Sequence, residues 1–452
     1  MRRGLVARPP RPLNRGVSCS IGAFMTFRES FFNVRRQWAG CVLVVAVLAP
    51  SPRVACGHSI LDDALEVTKV LQPLDHQIRE QLVTWFAERD AAEARYGRES
   101  AEWFEANDRH NPLAVHGARI LGYARENPGT PDAQTCLSYI VDWGEGDPAA
   151  LYRSACAELI AHEKDNAALS WLCSRCTNSL QLDTMEEFLA KLLQSSANPT
   201  VQGAAAFNLA QLYDNAVEMR LVLDERRKRF REAGLVKALP KLDLLEKRSH
   251  DELVGRRAEF LKLVIEKYSG EKPWSADRTF GRLNYRFRED SEQPSYGELA
   301  TKLSHEIKNL RVGCVPPDFT GMTIDGRRFR IAENRGKPIL LMFSFKGCGA
   351  CEAMYPALRK VQERYSPNGF SVLGVMVDET IDTVREAVAA GNITWPCVWD
   401  GPAGPIAKLY QVQSYPTVLL VGGDGRIKSI RLRREDELVA NIEKYLKEQS
   451  AK

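Results

Sequence analysis

Two cysteines, Cys348 and Cys351, stand where an apolar run gives way to an amphipathic segment, and they restrict the fold more than any other feature of this chain. The run Ile339-Leu340-Leu341-Met342-Phe343 reads as a buried strand, and Glu352 to Val361 carries apolar residues at helical spacing. A thiol at the start of a helix faces free backbone N–H groups and the positive end of the helix dipole, which favours its thiolate. A second thiol one turn later is close enough to displace a mixed disulfide. Cys348 is expected to be the exposed attacking sulfur and Cys351 the more buried resolving one. The competing reading is a pair of core cysteines or half of a zinc site. Zinc needs two further ligands, and all seven histidines lie outside residues 311–452. Dithiol–disulfide exchange is the reading this context supports.

The second signal is Ser414-Tyr415-Pro416-Thr417, which opens the apolar run Val418-Leu419-Leu420-Val421. Proline at the mouth of a central strand removes a ladder donor. It makes sense if the Tyr415–Pro416 bond is cis and the proline opens the strand beside the dithiol. Together these motifs resemble the thioredoxin-fold domain of the TlpA-like family of bacterial envelope thiol–disulfide oxidoreductases. Gly313 to Phe319 is similar to the family's entry segment, Thr323 to Phe329 to its first hairpin, and Phe370 to Asp378 to its next strand. Ile393-Thr394-Trp395-Pro396 and the turn Gly423 to Ile427 fit as well, so the resemblance spans about residues 313–449. It implies a nucleophile role for Cys348, a resolving role for Cys351, and a substrate groove shaped by Tyr415, Pro416 and Thr417.

Several positions depart from the family pattern. Gly347 replaces a tryptophan before the first cysteine, and Ala350 replaces the usual proline, next to Gly349, between the two cysteines. Met342 stands where many thioredoxins bury an aspartate, and Met354 where some relatives carry a glutamate. Such a carboxylate would manage the proton of Cys351; without it, Glu352 is the nearest candidate, while Lys346 favours the Cys348 thiolate by its charge. A peroxidase would need Pro-x-x-x-Thr/Ser-x-x-Cys, and Leu341 and Phe345 occupy the corresponding positions before Cys348.

Outside this third of the chain the signals are broader. The 452 residues suit two or three domains, and with 62 basic against 58 acidic residues the charge is too balanced to suggest nucleic-acid binding. Arg35-Arg36 precede an apolar run of twelve, Trp38 to Ala49, which is short for a membrane span and right for a signal-peptide core. Met25 is an alternative start, and Arg53-Val54-Ala55-Cys56 leaves lipidation at Cys56 open as an alternative to simple cleavage.

Residues 60–310 lack strand-like alternation and read as successive helices, with starts expected at Asn127-Pro128, Asp147-Pro148, Asp165-Asn166 and Asn198-Pro199. Their spacing suggests degenerate, tetratricopeptide-like helical hairpins. The basic run Arg226 to Arg231 is expected on a solvated helix face. Cys173 and Cys176 form a second Cys-x-x-Cys, but no strand precedes it, so core packing is expected there, with a structural disulfide or a metal as the alternative, and Cys136 and Cys156 are expected to be buried small apolar residues.

The expected architecture is an all-α helical-hairpin region followed by a thioredoxin-like α/β domain. The divisions are a signal-peptide region at 1–56, a helical region at 57–268, a connector with a short helix at 269–310, and the thioredoxin-like domain at 311–452. The expected activity is an exported thiol–disulfide oxidoreductase of the cell envelope that reduces protein disulfides and is recharged by a separate electron donor. No cofactor or metal is expected; the helical region is expected to meet a protein partner. The alternative is a non-catalytic helical binding protein with a passenger thioredoxin-like domain, supported by the methionines at 342 and 354.

Overall fold

The computed structural model describes residues 76–450 apart from 97–99, 101, 104, 107–111, 144–148, 233–238, 274–292, 431 and 433–434. The apolar run at 38–49, the alternative start and Cys56 lie outside these residues, as does Asp147-Pro148. The described part is a helical region followed by a thioredoxin-like α/β sheet.

Eleven helices come first among the described residues: α1 His76–Tyr96, α2 Pro112–Glu126, α3 Pro131–Trp143, α4 Ala149–Glu163, α5 Leu169–Arg175, α6 Leu182–Ser195, α7 Pro199–Leu221, α8 Leu223–Glu232, α9 Leu239–Lys247, α10 His250–Lys267 and α11 Tyr296–Asn309. Helix α7 is the centre. Asn198 caps it by accepting from Thr200 N at 3.0 Å, and Pro199 fills the first turn, as the sequence suggests. Its small residues Gly203, Ala204, Ala205, Ala206 and Ala210 are buried and let α6 and α10 pack closely. Helix α6 presents Met185, Phe188, Leu189 and Leu192 to the core at i, i+3, i+4, i+7 spacing.

Two of the expected starts are displaced. Helix α3 begins at Pro131, with Thr130 Oγ1 accepting from Ala133 N at 3.2 Å, while Asn127 closes the preceding helix through Nδ2 to Tyr123 O at 2.9 Å. At Asp165-Asn166 the asparagine does the capping, its Oδ1 accepting from Ala168 N at 3.0 Å ahead of α5, while Asp165 Oδ1 accepts from Ser196 Oγ and Ala197 N, tying two interhelical loops together. In the basic run, Arg227 pairs with Asp243 and Glu246 of the next helix at 2.9 and 2.5 Å.

Helix α11 belongs to the packed body. A capping box of Ser295 and Glu298 starts it. Gly297 meets the backbone of Ser269 so closely that a Cβ there would lie 2.7 Å from Ser269 O. At its far end, His305 Nε2 lies 3.0 Å from Leu409 O and Lys302 O accepts from Gln411 Nε2 at 2.8 Å. Just beyond, Arg311 reaches Asp214 and Glu218 of α7, each at 2.6 Å, and Glu306 at 3.3 Å. Asp214, itself buried, also accepts from Arg257 of α10 at 2.9 Å.

The sheet portion contains β1 Thr320–Met322, β2 Arg328–Arg330, β3 Ile339–Ser344, α12 Gly349–Tyr365, β4 Ser371–Met376, α13 Ile381–Ala389, β5 Cys397–Trp399, α14 Pro405–Leu409, β6 Thr417–Val421, β7 Ile427–Ile430 and α15 Glu435–Ser450. The main sheet has the order β5-β4-β3-β6-β7, with β3, β4 and β5 parallel and β6 and β7 antiparallel additions. Strand β3 is central and buried along its whole length, which is why its sequence is continuously apolar. Leu340 and Met342 face a core shared with α12 and α15, and Ile339, Leu341 and Phe343 face the other side.

Candidate active site

Strand β3 ends at Ser344, and the chain turns through Phe345, Lys346 and Gly347 before α12 starts. Gly347 has φ +88°, a conformation that side chains with a Cβ rarely adopt. Cys348 is the N-cap of α12: its Sγ accepts from Cys351 N at 3.3 Å, and its carbonyl accepts from Glu352 N at 3.0 Å. The two cysteines are joined in a disulfide, with Cα atoms 5.2 Å apart. Cys351 is wholly buried and Cys348 is 8% exposed, so Cys348 is the more accessible sulfur, though less open than the sequence suggests. An anionic sulfur at the N-cap would lie in the field of the helix N-terminus, beside the Cys351 N–H that already donates to it.

The groups around the disulfide are mostly apolar. Cys348, Cys351, Met342 and Met354 share one buried cluster, against which Phe345 and Tyr415 pack. The Tyr415–Pro416 bond is cis, Thr417 opens β6, and the Tyr415 ring meets Phe345 edge-on at 5.4 Å. Gly349 and Ala350 form the exposed first turn of α12.

Two residues expected to tune the thiols have other partners. Glu352 is exposed, and its Oε1 accepts from Gly347 N at 2.9 Å, so its carboxylate clamps the turn before Cys348. The Lys346 ammonium pairs with Glu386 of α13 at 2.9 Å, which draws its charge toward that carboxylate.

Sequence reasoning missed Asp378. It follows β4 and is 6% exposed. Its Oδ1 accepts from Lys346 N at 2.9 Å, two residues before Cys348, while its Oδ2 is buried with no hydrogen-bond partner. Burial pushes its carboxyl above the ordinary value of 3.8, against the hydrogen bond from Lys346 N that favours the charged form. Nearby, Ser344 Oγ and Tyr355 OH lie 2.9 Å apart, and burial raises the Tyr355 phenol, with the charges of Cys397 and Asp378 adding to it. Cys397, buried at the start of β5 opposite Gly374 of β4, is pushed up to about 12 by the same loss of solvent.

Residues 312–430 match the AhpC/TSA family. Over 121 residues the chain is 30% identical to the thiol-disulfide oxidoreductase ResA of Geobacillus thermodenitrificans (strain NG80-2), a span of 69% of that protein and 27% of this one. The chain belongs to the ResA-like thiol-disulfide oxidoreductases. A second similar protein is ResA of Bacillus thuringiensis subsp. konkukian (strain 97-27), 26% identical over 140 residues, which are 79% of that protein and 31% of this chain. Among solved structures, the thioredoxin domain of a thiol-disulfide oxidoreductase from Bacteroides vulgatus is 27% identical, with 99% of that chain and 30% of this one covered and a TM-score of 0.28. This oxidoreductase has buried Leu341 and half-buried Phe345 where a peroxidase of the same family needs proline and a hydroxyl side chain.

Proposed function

We propose that this oxidoreductase is an exported reductant of protein disulfides working through Cys348 and Cys351, with Tyr415, Pro416 and Thr417 forming its substrate groove. The observation that carries the reading is the linked cysteine pair at the start of α12, with the more accessible sulfur at the N-cap. In the reduced enzyme, the Cys348 thiolate attacks one sulfur of a client disulfide. That S–S bond breaks, and the first client thiolate leaves. Cys351 then gives up its proton and attacks Cys348 Sγ, which expels the second client thiolate and leaves the enzyme disulfide. Two electrons pass to the client, and a separate donor must return them.

The proton of Cys351 is the difficult step, because a buried thiol ionises poorly among apolar groups. Asp378 is the candidate acceptor in this scheme, supported by its buried carboxyl and by the bond from Lys346 N that ties its Oδ1 to the turn before Cys348. This weakens the case for a passenger domain, which rested on the methionines at 342 and 354. Export rests on the apolar run at 38–49, and no described helix is long and apolar enough to cross a membrane. The layout proposed is 57–268, 269–310 and 311–452, with lipidation at Cys56 as a variant of the envelope location.

The test is trapping in the native compartment. Cys351→Ser should accumulate mixed disulfides with client proteins, because attack survives and resolution does not, whereas Cys348→Ser should accumulate none. Equal trapping by both variants would overturn the assigned roles. A reduction potential near −270 to −200 mV would place the pair among reductants, and a much higher value among oxidants.

A further inference from the structure

A polar pair lies inside the apolar layer that surrounds Cys351. Ser344, the last residue of β3, is wholly buried, and its Oγ lies 2.9 Å from the hydroxyl of buried Tyr355. Tyr355 stands one helical turn after Cys351, on the same face of α12, and shares its buried cluster with Met342 and Met354. The Tyr355 ring meets Trp395 edge-on at 5.5 Å, and Trp395 is itself buried. Packing therefore fixes the ring and brings its hydroxyl to the end of the strand. Burial raises the phenol above its ordinary value of 10.0, so the hydroxyl stays neutral near neutral pH. On the strand side, Ser344 lies opposite Met376 and its carbonyl accepts from Val377 N at 3.1 Å, so β4 sets its position.

The start of α12 needs such a hold. Pro356 lies inside the helix and has no N–H to donate to the Glu352 carbonyl, so the first turn is joined to the rest of the helix by one bond fewer. Gly349 and Ala350, small and exposed, add no side-chain anchor. In the oxidised enzyme the disulfide itself braces the turn; in the reduced dithiol that crosslink is gone. We infer that Tyr355 is the positioning residue of the resolving thiol: its bond to Ser344 pins the first turn of α12 to the end of β3 and keeps Cys351 Sγ within reach of Cys348 Sγ. This inference rests on the reading of the protein as a reductase of protein disulfides, because resolution by Cys351 is the step it serves. Attack by Cys348 on the client comes earlier and does not use Cys351.

Tyr355→Phe keeps the ring against Trp395 and removes only the hydroxyl. With full-length reduced enzyme and a peptide carrying one intramolecular disulfide, single-turnover kinetics should show the Cys348 mixed disulfide forming within about twofold of the wild-type rate and its release slowed about fivefold, the worth of one hydrogen bond. The reduction potential of the pair should rise by about 20 mV, the same fivefold converted at about 30 mV per decade. A residue that merely supported the fold would lower the urea midpoint and leave the potential where it was. Ser344→Ala removes the other partner and should give the same two shifts, which covers the case in which Tyr355→Phe fails to fold. The double variant should be no slower than either single one, since both remove one bond. Unchanged release or an unchanged potential in a folded single variant would overturn the inference, as would effects that add in the double variant. Failure of the wild type to reduce the peptide at all would instead overturn the reductase reading.

Discussion

Asp378→Asn is the substitution that most directly probes the chemistry. The amide keeps an oxygen to accept from Lys346 N, so the turn before Cys348 should hold its shape. What is lost is, among the described residues, the only carboxylate that the structure brings, buried, to this turn. Cys351 has no solvent exposure, and Met342 and Met354 beside it are apolar, so no ready base replaces Asp378. General-base assistance is worth about 10²–10⁴-fold, and a fallback through hydroxide at neutral pH argues for the lower end, about 10²-fold. Single-turnover kinetics on a disulfide peptide should show ordinary formation of the Cys348 mixed disulfide and release slowed by that factor, with release no longer rising through the Asp378 titration. The substitution should also stabilise the fold. Burial raises the carboxyl above 3.8, so the folded protein keeps this proton to higher pH than the unfolded chain does. The associated stability is fully present below the unfolded pKa and is lost as pH rises through the folded one. An ionised oxygen without a partner costs about 1–3 kcal/mol, and the asparagine amide should recover about 1 kcal/mol at pH 7 and almost none near pH 3.5. Urea unfolding at the two pH values reads this directly. Release as fast as in the wild type would refute the proton assignment, even if the stability gain appeared.

Met342→Asp, which places a second carboxylate in the cluster around Cys351, should speed release in the Asp378→Asn background by about tenfold; no rescue in a folded double variant would show that release is not limited by the proton. Asp214→Asn leaves Arg257 and Arg311 without their shared buried partner and should cost about 3 kcal/mol, read as a lower urea midpoint; a loss under about 0.5 kcal/mol would mean that the pairs are solvated. Glu386→Gln frees the Lys346 ammonium and should lower the Cys348 thiol pKa in the reduced enzyme, measured by thiolate absorbance against pH. An unchanged titration would mean that Lys346 does not act on Cys348.

The dithiol and its strand and helix were legible because each carries a local signal. An unbroken apolar run suits burial on both faces, and a Cys-x-x-Cys between such a run and an amphipathic one suits a dithiol at a helix start. The cis bond at Pro416 was legible only in company: alone, the proline reads as an ordinary turn before an edge strand, and the upstream Cys348 and Cys351 tip the reading to cis. Asp378 was not, because its importance is created by pairing: β4 lies parallel to β3 with Ser344 opposite Met376, which brings the end of one strand beside the turn after the other. The available hint was an acid at the carboxyl end of an apolar strand, where open α/β sheets place their sites. The same logic explains Asp165, which bonds a backbone group that only the folded chain brings near, while Glu352 looked like a base and instead bonds the Gly347 N–H of its own helix start.

Asn208 and Asp378 pose one physical problem at two places. Each is a buried polar side chain with one oxygen left without a hydrogen bond, which costs stability that the partner atoms only partly offset. Asn208 lies in a helix whose neighbours Ala204, Ala205, Ala206, Leu209 and Ala210 are all buried and apolar, so packing alone would favour leucine there. The two side chains approach the cis-proline segment from different sides: Asn208 across the cavity whose wall includes Ser414 and Thr417, Asp378 through the turn whose Phe345 meets Tyr415. The stabilising contacts that offset them are concentrated between the helices and the sheet, at Arg311 with its three carboxylates and at the backbone bonds from α11 to Leu409 and Gln411. These contacts brace the stretch before β6 against α11, and the same stretch packs Tyr415 on the turn that leads to Cys348, so the cis-proline segment is held from both sides.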